Sequence, residues 1–198
     1  MKYPVMEHYY TIQGEGAYSG HAAYFIRLAG CDVGCTWCDV KDSWSAEGFP
    51  QVDIQEMIIW VKEAGANRVV ITGGEPAMYD LSPLCEAFFE HQIFTHIETS
   101  AAHEIKGRFD WICISPKKFK APILNEMSKA NELKIVVFNK SDFDWAEKWA
   151  HTCDANCQLF LQPEWDKRDK MLPLIIEYVK ANPHWRISLQ THKYIDIP

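Results

Sequence analysis

Three cysteines in the segment CDVGCTWC, Cys31, Cys35 and Cys38, constrain this chain more than any other feature. A CxxxCxxC spacing converges three thiolates on one soft metal centre and, with no fourth cysteine beside them, leaves one coordination position unfilled by protein. A four-iron cluster needs one ligand per iron, so this loop predicts an open iron-sulfur cluster with one iron free to bind a small molecule. A pure electron carrier would normally close that position. One alternative is a structural zinc, which needs a fourth Cys or His close in space and for which His21 is the candidate. A disulfide framework is disfavoured, because the clustered cysteines are odd in number and 198 residues are enough to fold without staples.

Length and composition bound the rest. With 47% hydrophobic residues the chain can bury one sizeable core, and its length predicts one domain over residues 1–198. Met1 to Tyr10 lacks the apolar run of a signal peptide, and no stretch of about 18 uncharged apolar residues occurs. The seven cysteines are therefore expected to stay reduced in a cytoplasm. A formal charge of −7 argues against nonspecific attraction to nucleic acid or an anionic membrane. Local positive groups remain: Arg27, Lys117, Lys118, Lys120 and Lys193 lie near strand ends or in loops and could hold a small anion. Lys117 to Lys120 reads equally well as a solvated turn.

Short apolar runs alternate with helical patterns. Strands are predicted over 23–29, 68–72, 94–98, 111–115, 133–138, 158–161 and 186–189, and helices over 53–64, 82–91, 142–150 and 170–181. In the first helix Asp53 is placed to cap, Glu56 follows three residues on, and Ile54, Met57, Ile58 and Val61 share a face. Such alternation predicts an α/β fold of parallel βα units. About six units are too few for a complete eight-stranded barrel and predict a partial, open one, whose mouth lies at the strand C-termini.

Polar residues recur at those ends. GGEP, Gly73 to Pro76, directly follows RVVIT; two glycines let backbone approach a ligand closely, and Glu75 offers an acceptor for a cationic amine. Alone, the same residues read as an ordinary turn. Glu98, Thr99 and Ser100 follow the next strand, Ser115, Pro116 and Lys117 the one after, and Gln162 with Pro163 follows QLFL.

In combination, CxxxCxxC and strand-terminal GGEP resemble the radical S-adenosylmethionine superfamily. The resemblance implies that Cys31, Cys35 and Cys38 ligate three irons of a 4Fe-4S cluster, while the methionyl amine and carboxylate of S-adenosylmethionine chelate the fourth. It implies that Gly73, Gly74 and Glu75 contact the methionyl amine, and that Glu98, Ser115, Lys117 and Gln162 help bind the cofactor. The radical is carried by the cofactor, so no side chain is assigned a catalytic role.

The ends of the chain narrow the resemblance. TIQGEG (Thr11 to Gly16), Arg27, Cys38 with Asp39, and the terminal LQTHKYIDIP are together similar to 7-carboxy-7-deazaguanine synthases, nearly along the whole chain. That family implies a carbon-nitrogen lyase: ring contraction of 6-carboxy-5,6,7,8-tetrahydropterin with loss of ammonia, in queuosine biosynthesis, begun by hydrogen abstraction at substrate C6. The N-terminal and C-terminal segments would complete the substrate pocket. Ile12, Gln13, Gly14, Glu15 and Gly16 would meet the heterocycle, Arg27 its carboxylate, and His192 the pocket wall. A flavodoxin-type electron donor and a homodimer are further implications.

One position departs from the family pattern. Threonine commonly follows the Cys-Asp pair and its hydroxyl helps bind Mg²⁺; here Val40 has no oxygen for a hard cation, leaving Asp39, Asp42 or Ser43 to compensate. Two other readings share the cysteine loop: an activase of glycyl radical enzymes, which needs no pterin pocket, and a zinc-stabilised binding module. Cys85, Cys113, Cys153 and Cys157 read as buried structural thiols, although the last two share a CxxxC spacing.

Overall fold

The computed structural model describes Met1–Pro198. It opens on a long strand β1 (Lys2–Ile12), which pairs antiparallel with β2 (Ala22–Leu28), setting Glu7 opposite Arg27 and Tyr9 opposite Phe25. A register irregularity between Val5 and Glu7 twists β1, and the short β3 (Gln51–Asp53) pairs with its first residues. The Asp53 carboxylate accepts the Glu56 N–H at 3.1 Å and starts α1 (Ile54–Glu63), which buries Met57, Ile58 and Val61. β4 (Arg68–Gly73) leads through a 3₁₀ turn to α2 (Ser82–Glu90), where Pro83 sits in the first turn and Asp80 accepts the Ser82 N–H at 3.0 Å. There follow β5 (Phe94–Thr99), β6 (Trp111–Ile114), β7 (Glu132–Val137), α3 (Ser141–Ala150), β8 (Gln158–Pro163), α4 (Arg168–Ala181), β9 (Trp185–Ile187) and α5 (Thr191–Ile195).

All nine strands form one sheet in the order β3-β1-β2-β4-β5-β6-β7-β8-β9. β2 and β4 to β9 are parallel throughout, so the expected open, partial βα barrel is realised, with seven parallel strands rather than about six. No pairing joins β9 to β3, and the sheet stays open. Ile71, Ile97, Leu133, Ile135 and Leu161, at 0 or 1% exposure, sit in a contiguous core of 33 buried residues with the inner faces of α1 to α4. Burying that much apolar surface, at about 25 cal/mol per Å², is the main force closing the helices over the sheet. Period-two alternation then turns Glu98, Lys134 and Gln162 to the other face, toward the cavity. No helix is long and apolar enough to cross a membrane.

Two expectations are altered by this topology. β1 was not foreseen in the polar and aromatic stretch at the start of the chain, yet it buries Tyr3, Pro4 and Val5 and carries Tyr9 and Ile12 to the cavity. His21 cannot be a fourth ligand beside the cysteines. It precedes β2 while Cys31 follows it, so the strand itself, about 20 Å long, holds them apart, and the His21 ring packs edge-on against Tyr18 at 5.6 Å.

Candidate active site

A cavity of about 580 Å³ occupies the C-terminal mouth of the parallel strands. Cys31, Cys35 and Cys38 line one side, the strand ends its floor, and residues from both termini the other side. Of the 17 site residues expected from the sequence, all but Gly16 border this one space, including Ile12, Gln162 and His192.

The cysteine loop leaves β2 immediately below the cavity. Cys35 is buried with Val33 and Ala102, while Cys31, Trp37 and Cys38 pack against that small cluster and are partly exposed. Burial pushes the Cys35 thiol up to about 11, with Lys117 opposing and the neighbouring Cys38 and Cys31 charges adding to the rise. Burial likewise raises Cys31. Burial thus disfavours the charged form of Cys31 and Cys35, and thiolates here need a cationic centre beside them, which is the demand a cluster's irons meet. The donor set therefore fits a three-cysteine iron-sulfur cluster.

Gly73, Gly74 and Glu75 of GGEP border the cavity and are also tied closely into the surrounding backbone. A Cβ on Gly73 would lie 2.2 Å from the Leu28 carbonyl oxygen, and one on Gly74 2.4 Å from the Gly30 oxygen and 2.7 Å from Cys31 Cβ. The close approach is thus to the backbone that launches the cysteine loop, tied by Gly74 N–H to Leu28 O at 3.0 Å and Glu75 N–H to Gly30 O at 2.8 Å. Glu75, at 1% exposure, is already fully engaged. It accepts from Ala77 N–H at 3.0 Å, Ser100 N–H at 2.8 Å, and the hydroxyls of Thr99 and Ser100. With its lone pairs taken, it braces β4 against β5 rather than offering a free acceptor.

Ser115 and Lys117 stand together at the end of β6, the Lys117 ammonium donating to the Ser115 carbonyl at 2.8 Å and to its hydroxyl. Burial lowers Lys117 from the usual lysine range. Lys118 and Lys120 leave the cavity instead: Lys118 pairs with Asp142 at 2.6 Å and Lys120 with Asp32 at 2.6 Å. The basic run is therefore part wall and part surface. Gln162 accepts the Ser188 hydroxyl at 2.7 Å.

Opposite the cysteines, a polar network joins four segments. Gln13 donates through Nε2 to Glu98 at 2.8 Å and accepts the Glu15 N–H at 3.1 Å. Lys134 of β7 pairs with both Glu15 and Glu98, the latter at 3.3 Å, and Gln190 donates to Glu15 at 3.0 Å. Burial would raise Glu98, but Lys134, His96 and Gln13 more than offset it and hold it at about 2. Burial also works against the Lys134 ammonium, yet Glu15 and Glu98 keep it well above its ordinary range. Glu98, expected on the cofactor side, is thus bound into the Gln13 and Glu15 network.

The TIQGEG loop departs from expectation in its glycines. Gly14 directs its carbonyl to Thr191 N–H and Oγ1, each at 2.9 Å, and packs so closely that a Cβ would fall 2.2 Å from His192 Nδ1. Gly16 lies behind the wall, with φ +62°, its N–H donating to the Ser188 hydroxyl at 2.9 Å and Glu132 where a side chain would be. The Gly14 carbonyl and the Gly16 N–H are thus already engaged within the protein. These glycines weld the N-terminal loop to the C-terminal segment, leaving Gln13 and Glu15 as the loop's polar side chains at the cavity.

Arg27 reaches the cavity from β2, its Nε held by Glu7 at 2.6 Å across the β1–β2 pair. His192 stands on α5, lowered from the ordinary histidine range by burial. Lys193 pairs with Asp39 at 2.8 Å, which, against the opposing effect of burial, lowers the Asp39 carboxyl and pins α5 to the cysteine loop. Val40 faces the cavity with no oxygen, Ser43 spends its hydroxyl on the Val40 carbonyl at 2.6 Å, Asp39 is taken by Lys193, and Asp42 is exposed outside the cavity. The oxygen set does not fit a magnesium ion at the position the family pattern implies.

Reasoning from sequence missed Lys134, Thr72, Trp165 and Gln190, all of which border the cavity. Lys134 had a readable signal, a charge set within the otherwise apolar run LKIVV of β7. Cys85 and Cys113 are buried as expected; Cys153 and Cys157 are only partly so and sit beside each other in the turn before β8.

Comparison with known proteins agrees with this geometry. The profile of the Radical SAM superfamily matches residues 25–135, more than half of the chain. A 7-carboxy-7-deazaguanine synthase of Flavobacterium psychrophilum is 49% identical over 98% of this chain and 92% of its own length. One from Synechocystis sp. is 43% identical over 100% of this chain and 94% of its own. The crystal structure of QueE from Escherichia coli superposes with a TM-score of 0.86 at 32% identity, covering 96% of this chain and 94% of that one. The likeness spans nearly the full length of these relatives, and the chain belongs to the 7-carboxy-7-deazaguanine synthase family of Radical SAM proteins.

Proposed function

We propose that this chain converts 6-carboxy-5,6,7,8-tetrahydropterin to 7-carboxy-7-deazaguanine with loss of ammonia, as a carbon-nitrogen lyase of queuosine and related deazapurine biosynthesis. The observation that carries the reading is that the cysteine loop and the Gln13, Glu15 and Glu98 network border one cavity. A cluster and S-adenosylmethionine bound there would supply a 5'-deoxyadenosyl radical able to take hydrogen from substrate C6. Everything else falls to the chain's own residues.

Cys31, Cys35 and Cys38 hold the cluster, and Gly73, Gly74 and the Glu75 brace fix the backbone beneath it. Ser115, Lys117 and Gln162 border the space for the cofactor. A carboxylated pterin has a planar hydrogen-bonding edge at one end and an anion at the other, calling for directional acceptors and a positive group. Gln13, Glu15 and Glu98 meet the edge, and Arg27 faces the carboxylate. His192 and Trp165 wall the pocket against water, so the reacting carbon is held beside the radical.

Residues 1–198 act as one domain whose two ends complete the pocket, in a cytoplasmic homodimer reduced by a flavodoxin-type donor. The oxygen-poor surroundings of Val40 support turnover without magnesium. Anaerobic incubation of the reconstituted protein with the carboxypterin, S-adenosylmethionine and a reductant tests the reading. Expected products are 7-carboxy-7-deazaguanine and ammonia in equal amounts; cofactor cleavage with neither product would reject it.

A further inference from the structure

Lys134 is a buried cation, 3% exposed, that neither the cluster nor the substrate carboxylate explains. Its ammonium lies between Glu15 of the N-terminal loop and Glu98 of β5. Each carboxylate has a second tie: Glu15 Oε1 accepts Gln190 Nε2 at 3.0 Å and Glu98 Oε1 accepts Gln13 Nε2 at 2.8 Å. One ammonium thus links β7, β5 and the N-terminal loop and, through Gln190, the C-terminal segment. A carboxylate oxygen accepts more than one hydrogen bond, so both groups keep capacity toward the cavity. A 2-amino-4-oxo pyrimidine ring presents two adjacent N–H donors, and the two coplanar oxygens of an oriented carboxylate match them.

We propose that Lys134 is a positioning residue that confers specificity for a 2-amino-4-oxo ring, by holding Glu15 and Glu98 as an oriented pair of acceptors for its two-donor edge. The inference rests on the pterin reading of the cavity. Glu15, Glu98, Glu132 and Cys113 face the ammonium with negative or ionisable groups, and His96, Lys117 and His192 with positive or ionisable ones. Burial keeps both histidines low, so near neutral pH they add little positive charge at the acceptor pair, which Lys134 contacts directly. Without the ammonium, facing carboxylates retain a proton between them, which spoils one acceptor until the pH rises far enough to remove it.

The test uses cluster-reconstituted protein with S-adenosylmethionine present, titrated with 6-carboxypterin and with its 2,4-dioxo counterpart, 6-carboxylumazine, by ligand fluorescence. The wild type should prefer the 2-amino ligand by about tenfold or more, with an affinity flat in pH below the ligand's own deprotonation. Lys134→Met should weaken 6-carboxypterin about tenfold, abolish the preference, and recover affinity as pH rises, with unchanged cluster absorption. Lys134→Arg should restore part of the preference. Wild-type affinity, preference and pH behaviour in Lys134→Met would overturn the role. Should that variant fail to fold, Glu15→Gln and Glu15→Gln/Lys134→Met decide: equal affinities support action through Glu15, and a further tenfold loss in the double variant overturns it. If the wild type binds neither pteridine, the pterin reading itself falls.

Discussion

Glu75→Gln separates a brace from a ligand group. The Glu75 carboxylate, 1% exposed, accepts two backbone N–H groups, from Ala77 and Ser100, and two hydroxyls, from Thr99 and Ser100. Glutamine keeps the shape but turns one oxygen into an NH₂ donor. A hydroxyl can rotate to accept from that donor; a backbone N–H cannot, so one buried N–H loses its partner at about 1–3 kcal/mol. The remaining bonds also lose their charge assistance, partly offset by no longer burying a charge. A net loss of about 2–3 kcal/mol follows, which at a slope of about 2 kcal/mol per molar urea lowers the unfolding midpoint by about 1 M. The assay is anaerobic urea unfolding of the two reconstituted proteins, alongside S-adenosylmethionine affinity. An unchanged midpoint with a large loss of cofactor affinity would refute the reasoning, because Glu75 would then be a ligand group.

Three further outcomes follow from the same geometry. Gly74→Ala places a Cβ 2.4 Å from the Gly30 oxygen and should displace the cysteine loop, seen as lost visible absorption after anaerobic reconstitution. His96, fully buried with neither ring nitrogen partnered, is pushed down from 6.5 to about 4 by burial. Its folded value lies below its unfolded one, so its stabilising contribution is complete above pH 6.5 and is lost as the pH falls toward 4, by about 3 kcal/mol in all. His96→Gln should flatten the urea midpoint across that window, whereas the stabilisation from Glu98, held at about 2, is complete above about 4.5 and is lost only as the pH falls from there toward 2. Val40→Thr adds an oxygen beside the cavity and should introduce magnesium stimulation of turnover, measured by titration with chelated controls; strong dependence already present in the wild type would show another ligand at work.

The parallel sheet and the cysteine loop were legible because each rests on local pattern: apolar runs bounded by turns, an Asp53 cap, and a fixed thiol spacing. The tasks of individual residues were less so. Glu75 and its glycines follow β4 as expected, but their partners, Leu28, Gly30, Thr99 and Ser100, are brought there by strand pairing that no local pattern reveals. Gly14 and Gly16 likewise face residues from the far end of the chain, Thr191, His192 and Ser188, which only the completed barrel delivers. β1 was missed because its aromatic and polar alternation, broken by the irregularity at Val5, carries neither a clean apolar face nor turn signals, and with it went the Glu7 partner of Arg27.

The central claim is that a radical formed at the cysteine loop reacts at C6 of a pterin held by the two ends of the chain. Substrate carrying deuterium at C6 tests it most directly, with anaerobic turnover and mass analysis of the 5'-deoxyadenosine and S-adenosylmethionine recovered. Because loss of ammonia leaves the conversion redox-neutral, the abstracted hydrogen can be returned, and the account predicts deuterium appearing at C5' in the recovered cofactor and 5'-deoxyadenosine as 7-carboxy-7-deazaguanine forms. Product formed while all the deuterium stays out of both would contradict it.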